Sequence, residues 1–567
     1  MPEQRARNGR MGGQILVDCL LKQGVDLAFC VPGESYLAAL DAMHDVQDRL
    51  RLIVCRQEGG AAIMAEAHGK LTGRPGVCFV TRGPGATNAS TGVHTAFQDS
   101  TPMVLFIGQV ARGVRHREAF QEVDLAAMFA PLAKWSAEIS DPARIPEYVH
   151  RAFQTAMAGR PGPVVLVLPE DMLTEIVDTD IEYGLRAEPI RPGIQPRQVD
   201  QILATLDTAQ RPLMIVGGGG WSTEAAGHAM RFAEKHDLPV TVSLRCQDYV
   251  DNRHPNYVGP LTIGADPALV ARLKEADTII VVGARLGEMT TAGYSLLKPP
   301  RIGKTLIHIH ADAEELGRVY QADIAINANS GIALEALADR PDSGRRRWYE
   351  WMQAAHRDYR KSLEPIAPPV GVNLGEVMST LRARLPEDTI VTSGAGNYTG
   401  WLHKHWIFST YRTQLAPTSG AMGYGVPAGI AASLAMPGRT VLAVAGDGCF
   451  QMHPQELATA AQYGARLLYI VVNNGVYGTI RMHQEREYPG RVVGTDIVNP
   501  DFVAFARAYG LHAARVDKTE DFAAALEAAL LAPTGALIEV VTEREAISVR
   551  SSLTKLREAA LARLATT

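Results

Sequence analysis

The sequence predicts an α/β protein of three domains, each built on a parallel sheet flanked by helices. Three observations carry that expectation. Short apolar, β-branched runs recur along the chain and alternate with Ala-rich stretches of helical character; continuous apolar strands between helices indicate parallel sheets buried on both faces. Two composition shifts cut the chain into thirds. Its 567 residues suit three or four domains of roughly 150 residues each.

In the first third the strand-like runs are LIVC (52–55), VCFV (77–80), MVLFI (103–107) and Val164–Leu168, closed by Pro169. From Asp178 the text turns polar and Pro-bearing, and helical periodicity resumes near Val199. The middle third carries LMIV (213–216), TIIVV (278–282) and TLIHI (305–309). Lys361 to Val372 forms the second boundary, because its three prolines cannot lie inside a helix. The last third carries VLAVA (441–445) and LLYIVV (467–472). The expected domains are residues 1–180, 197–345 and 370–560.

Hydrophobic residues at 46% and charged residues at 21% exclude a disordered chain. A formal net charge of −5 gives no electrostatic reason for a nucleic-acid or anionic-membrane partner. The cysteines (Cys19, Cys30, Cys55, Cys78, Cys246 and Cys449) form no CxxC pair and have no His at metal spacing, so they read as buried thiols in a reducing compartment. No run of 18 apolar residues occurs and the first residues lack an apolar signal core, so a cytoplasmic location is expected.

The chemistry-bearing segments concentrate in the last third. The strand VLAVA ends in Gly446-Asp447-Gly448-Cys449-Phe450, and after one helical segment the strand LLYIVV ends in Asn473-Asn474-Gly475-Val476-Tyr477-Gly478. Asp447 and Asn474 therefore lie at the carboxyl ends of successive strands, where open α/β sheets bind ligands. One carboxylate, one amide oxygen and a loop carbonyl suit Mg²⁺, which keeps water and takes further ligands from a phosphate-bearing partner. Read alone, GDG is a turn after a strand and NNG a type I′-like turn; their spacing favours a site. Gly423-Tyr424-Gly425 with Ala428 loosely fits a dinucleotide fingerprint, but Pro427 stands where its helix should run.

GDG followed by NN at this distance resembles the diphosphate- and metal-binding signature of thiamine diphosphate enzymes. Almost the whole chain is similar to the acetolactate synthase-like (pyruvate oxidase/decarboxylase) superfamily. The resemblance implies Asp447, Asn474 and the Val476 carbonyl as metal ligands, with Gly446, Gly448, Cys449, Tyr477 and Gly478 around the cofactor. It places Glu58, in RQEGGAA after the run RLIVC, against the aminopyrimidine ring, where a shared proton favours the imino tautomer. Taken by itself, Glu58 is an acid in a helix's first turn, a favourable dipole location. In SGAMGYG the resemblance makes Gly420 the carbonyl acceptor and Met422 the apolar prop under the cofactor. Asn397 and Tyr398, in GAGNY, match a second diphosphate loop that holds Gln-His in many synthases.

On the substrate side the resemblance points to Glu34 and Ser35 in VPGES, and to Phe120, Gln121 and Gln109, with Gln121 preferred. Glu34 puts a carboxyl beside the pocket, or is a helix N-terminal acid. Ile480 and His483 follow the metal loop, and His483 stands where synthases carry the Trp that selects the acceptor. In the middle domain the family uses FAD, ADP or nothing; Arg285 matches a nucleotide-contacting Arg, while VGPLTIGADPAL (258–269) replaces the flavin-associated segment. The implied function is a thiamine diphosphate- and Mg²⁺-dependent lyase or carboligase working next to a carbonyl, with small-molecule substrates and intersubunit sites in a homodimer or homotetramer. The alternatives are a flavin-linked 2-oxoacid oxidoreductase and a non-catalytic thiamine diphosphate-binding protein.

Overall fold

The computed structural model describes residues 9–178, 182–341, 344, 346–364, 366 and 371–566. The three prolines of the second expected boundary and parts of the first lie outside the described residues. The chain forms two compact units that meet in sequence between Ile190 and Arg191.

The first unit holds a six-stranded sheet of β1 (Leu27–Cys30), β2 (Arg51–Val54), β3 (Gly76–Val80), β4 (Met103–Gln109), β5 (Trp135–Glu138) and β6 (Pro163–Pro169). Its order is β2-β1-β3-β4-β6-β5 and every pairing is parallel. β3, β4 and β6 are buried along their whole length, as their unbroken apolar runs require. The helix Glu58–Thr72 is buried almost throughout because it is built of small residues. It packs against the helix Gly83–Asp99 so closely that a Cβ on Gly92 would lie 2.4 Å from that of Ala62. A short antiparallel pair, Arg10–Met11 with Ile176–Val177, joins the two ends of the unit.

The second unit holds two further sheets. The central one comprises β7 (Pro212–Val216), β8 (Val240–Val242), β9 (Tyr257–Pro260), β10 (Thr278–Val282), β11 (Thr305–His310) and β12 (Ile324–Asn327), in the order β9-β8-β7-β10-β11-β12. The last comprises β13 (Ile390–Ser393), β14 (Gln414–Leu415), β15 (Val441–Gly446), β16 (Leu468–Asn473), β17 (His512–Val516) and β18 (Ala536–Val541), in the order β14-β13-β15-β16-β18-β17. Both are wholly parallel. A buried polar seam joins them: the Asp248 carboxylate accepts from the backbone N–H of Thr413 (3.0 Å) and Gln414 (3.1 Å), and Arg245 donates to the Gly394 carbonyl at 3.0 Å. Three α/β domains with helix-flanked parallel sheets are thus present.

Counted within its own sheet, the last sheet repeats the strand order of the first. In both, the switch in direction falls between the first and third strands, and in the central sheet between the first and fourth; ligands bind in such crevices, beyond the carboxyl ends. The GDG segment follows β15 at one switch point. Pro427 does not break its helix: it lies in the first turn of Gly425–Ala435, where a missing N–H costs nothing.

Candidate active site

Asp447 opens a short helix directly after β15, so GDG is a strand end passing into a helix rather than an isolated turn. Its carboxylate is 3% exposed. One oxygen accepts from the Gly448 N–H at 2.9 Å, the other from the Gly475 N–H and the Asn499 amide, both at 2.8 Å. All three donors are neutral, and among the described residues no cationic side chain pairs with it. Burial of a carboxylate without a countercharge costs several kcal/mol, so this is an environment that a bound cation completes.

The NNG segment is not a type I′ turn: only Gly475 takes a positive φ, +63°. Asn473 is spent internally, accepting from Gly475 and Asn499 and donating to Glu539 at 2.7 Å. Among the described residues the Asn474 oxygen accepts only from the Val476 N–H, at 3.1 Å. Val476 faces Asp496 across a short bridge whose bonds are made by the Gly475 carbonyl and the Tyr477 N–H, so its own carbonyl takes no part in them. Asp447, Asn474 and the Val476 carbonyl are thus a hard-oxygen set of the kind Mg²⁺ prefers. Among the described residues no group of three His, Cys, Asp or Glu side chains forms a metal cage.

The glycines of the surrounding loops serve two ends: Gly420 borders open space, while Gly448 and Gly394 admit neighbouring side chains of the fold. Gly420 has φ +68° and open space beside its Cα. A Cβ on Gly448 would lie 2.6 Å from the Tyr477 ring, and one on Gly394 would lie 2.5 Å from Cys449 Sγ. Met422 packs half-buried on the core of this domain. His453 donates from Nδ1 to the Gly423 carbonyl at 3.1 Å, and burial pushes its imidazole below the ordinary value. The Tyr398 hydroxyl is engaged within the fold: it accepts from the Gly394 N–H at 2.9 Å and donates to Cys449 Sγ at 3.4 Å. The Tyr398 ring also backs Gly446, so it acts as a wall. Asn397 bridges Thr479 and the Ile547 carbonyl, both at 2.8 Å. Ile480 is exposed, and so is His483, whose ring is bonded by Arg486 and lowered in pKa by burial and by that arginine.

In the first unit, Glu58 begins its helix behind the Gln57 cap, and Asn88 donates to its carboxylate at 2.9 Å. Glu34 follows β1, and Arg82, which follows β3, donates to it at 3.1 Å. Gln121 has φ +63°, and its carbonyl accepts from the Gly83 N–H at 3.1 Å; Phe120 is exposed. Gln109 is wholly buried and satisfied by backbone groups of Val110 and Val123, which leaves Gln121 as the freer amide. Ser35 is also buried, its hydroxyl 2.9 Å from that of Thr81.

Asn88, Arg82, Asn499 and Glu539 were not anticipated. None sits at a fixed spacing from a motif, and only the fold brings each to its partner.

Three family models match the chain: the N-terminal TPP binding domain of thiamine pyrophosphate enzymes over residues 10–128, their central domain over 199–337, and their C-terminal TPP binding domain over 394–540. An acetolactate synthase large subunit from Parasynechococcus marenigrum is 34% identical over 94% of this chain and 88% of its own length. The chain belongs to the thiamine pyrophosphate enzyme family. Acetolactate synthase of Arthrospira platensis is 32% identical over 96% of both chains, and isozyme 2 of Escherichia coli is 31% identical over 92% of this chain and 93% of its own. As in a thiamine pyrophosphate enzyme, the first and last sheets carry the TPP binding domains, and Asp447 and Glu58 each stand at a carboxyl edge of one of them.

The central sheet offers less to a nucleotide. The N–H groups of Gly217 and Gly283, at its switch point, are spent on the Val282 and Ile309 carbonyls. Trp221 and Tyr249 donate to the carbonyls of Gly217 (2.8 Å) and Gly218 (2.6 Å). No helix among the described residues is long and apolar enough to cross a membrane, and the six cysteines are free and buried.

Proposed function

We propose that this chain is a thiamine diphosphate- and Mg²⁺-dependent enzyme that forms or cleaves carbon–carbon bonds next to a carbonyl, with a 2-oxoacid, 2-hydroxyketone or related acyl donor. The observation that carries the reading is Asp447, a buried carboxylate met among the described residues by neutral donors alone, on the loop-side edge that also carries Asn474, whose oxygen accepts a single bond, and the Val476 carbonyl. The names of its relatives as acetolactate synthases support carboligation.

In this reading Asp447, Asn474 and the Val476 carbonyl hold the metal. Gly446, Gly448, Cys449, Asn397, Tyr398, Tyr477 and Gly478 line the diphosphate, with Tyr398 as a wall. The Gly420 carbonyl accepts from the pyrimidine's amine and Met422 supports the cofactor's bend. Glu58, kept in place by Asn88, holds a proton against the pyrimidine ring. Bound thiamine diphosphate supplies a nucleophilic carbon and an electron sink for the acyl group. Fixing it far from the reacting carbon turns binding energy into orientation. Gln121 and Glu34 supply polar groups to the substrate, with Ser35, Phe120, Ile480 and His483 bordering its space.

The domains are assigned as residues 1–180 (pyrimidine-binding), 197–345 (central) and 370–560 (diphosphate-binding). The assembly is a homodimer or homotetramer whose sites are shared between copies, and six buried free thiols favour the cytoplasm. FAD or ADP in the central domain would show as a yellow colour or as nucleotide released on denaturation.

The test is turnover of a panel of 2-oxoacids and 2-hydroxyacyl donors by the purified protein with thiamine diphosphate and Mg²⁺. Carbon–carbon bond formation or CO₂ release is expected, with Glu58→Gln retaining cofactor while losing at least about a hundredfold in kcat. Full activity in Glu58→Gln would remove Glu58 from the chemistry, and no turnover of any donor would refute the carboligase assignment.

A further inference from the structure

Arg82 is 6% exposed, yet the two carboxylates on its guanidinium face solvent. Nη2 donates to Glu34 at 3.1 Å and to Glu170 at 3.2 Å, and those side chains are 65% and 42% exposed. Nη1 donates to the Phe120 carbonyl at 3.4 Å, while Nε, also buried, meets no acceptor among the described residues. Burying a guanidinium is costly, and ion pairs to exposed carboxylates return little stability. What the planar fork does supply is a fixed position and orientation for each carboxylate.

That position is the switch point of the first sheet. Glu34 follows β1 and Arg82 follows β3, the strands that flank it. A Cβ on Gly33 would lie 2.4 Å from that of Thr81, and one on Gly85 would lie 3.4 Å from Glu58 Oε1. The tips carrying Glu34, Arg82 and Glu58 therefore adjoin one another. Two carboxylates on one guanidinium leave excess negative charge, and the pattern recurs along this edge: Arg112 serves Asp171 and Glu175, and Arg115 serves Glu122 and Glu138.

We propose that Arg82 is a positioning residue that fixes Glu34 as a specificity element. The pair selects a substrate whose side chain presents a hydrogen-bond donor, a hydroxyl or an ammonium group, over one with a second carboxylate. This deepens the carboligase reading and rests on it.

The experiment measures kcat and KM of the holoenzyme for pyruvate, hydroxypyruvate and 2-oxoglutarate, in wild type, Glu34→Gln and Arg82→Lys. Wild type is expected to prefer hydroxypyruvate to 2-oxoglutarate. Glu34→Gln should reduce that preference by about tenfold, chiefly through KM for hydroxypyruvate. Arg82→Lys should do the same, and the double variant no more than either alone. If Arg82→Lys does not fold, Glu34→Gln and Glu34→Ala decide the question. Unchanged preference in the Glu34 variants, with wild type active on pyruvate, overturns this proposal alone. A wild type inactive on every donor overturns the carboligase reading and this proposal with it.

Discussion

One side-chain amide from outside the sequence motifs helps orient Asp447. Asn499 donates to both Asp447 and Asn473 at 2.8 Å, and Gln451 in turn donates to its oxygen at 2.6 Å. Partners of this kind fix which lone pairs a ligand presents, and their loss typically lowers metal affinity about 10–100-fold. Asn499→Ala should therefore raise by about tenfold the Mg²⁺ concentration that half-saturates cofactor retention, read as thiamine diphosphate surviving desalting across a Mg²⁺ titration. An unchanged titration would show that Asp447 holds its orientation without Asn499. The contrast in legibility is physical. Asp447 and Asn474 could be read from the sequence because each ends an apolar strand of the same sheet, and the sheet repeat sets their distance. Asn499 comes from an irregular loop, and Arg82 and Glu34 follow different strands; neither periodicity nor spacing encodes such meetings.

Among elements, strands with an unbroken apolar run were legible, while short or polar-bearing strands such as Val240–Val242 and Ala536–Val541 were not. Every apolar run read from the sequence is a strand, within two residues at each end. β5 is half-buried throughout and β14 has two residues, so neither gives an apolar signal. The helix Gly478–Glu487, which carries Ile480 and His483, shows how an edge element is held: Glu485 is wholly buried, bonded by Arg557 on the helix Leu553–Thr566, by Arg481 and by the Gly490 N–H. The Arg557 guanidinium is the largest influence holding the Glu485 carboxyl down, at about 2 against an ordinary 4.5. A carboxyl lowered on folding stabilises the protein fully above its unfolded value, and that contribution fades as pH falls toward the folded one. Glu485→Gln should therefore cost about 2 kcal/mol at neutral pH, because Arg557 is partly exposed and the pair partly screened. The gap in Tm between wild type and variant should be constant above about pH 5 and narrow steadily toward pH 2. A gap that does not depend on pH would mean that packing, not charge, joins these helices.

At the scale of the molecule, the first and last sheets share one strand order, and each carries an acid beyond the carboxyl end of one of its strands. Asp447 follows the third strand of its sheet, and Glu58 follows the second strand of the other. The two acids are assigned different work. In the proposed function Asp447 anchors the metal and hence the diphosphate, so it would act on affinity, and Glu58 holds a proton, so it would act on chemistry. Ligand that binds only the folded state stabilises it by mass action, about 2.7 kcal/mol at a hundredfold excess over Kd. For large domains that corresponds to a rise in Tm of roughly 5–10 °C. Wild type and Glu58→Gln should both show this rise with thiamine diphosphate and Mg²⁺ together, and little with either alone. Asp447→Ala should show almost none, since the anchoring carboxylate is gone. A full shift in Asp447→Ala would place the anchoring cation elsewhere, and a shift lost in Glu58→Gln would make that acid a binding group rather than a proton carrier.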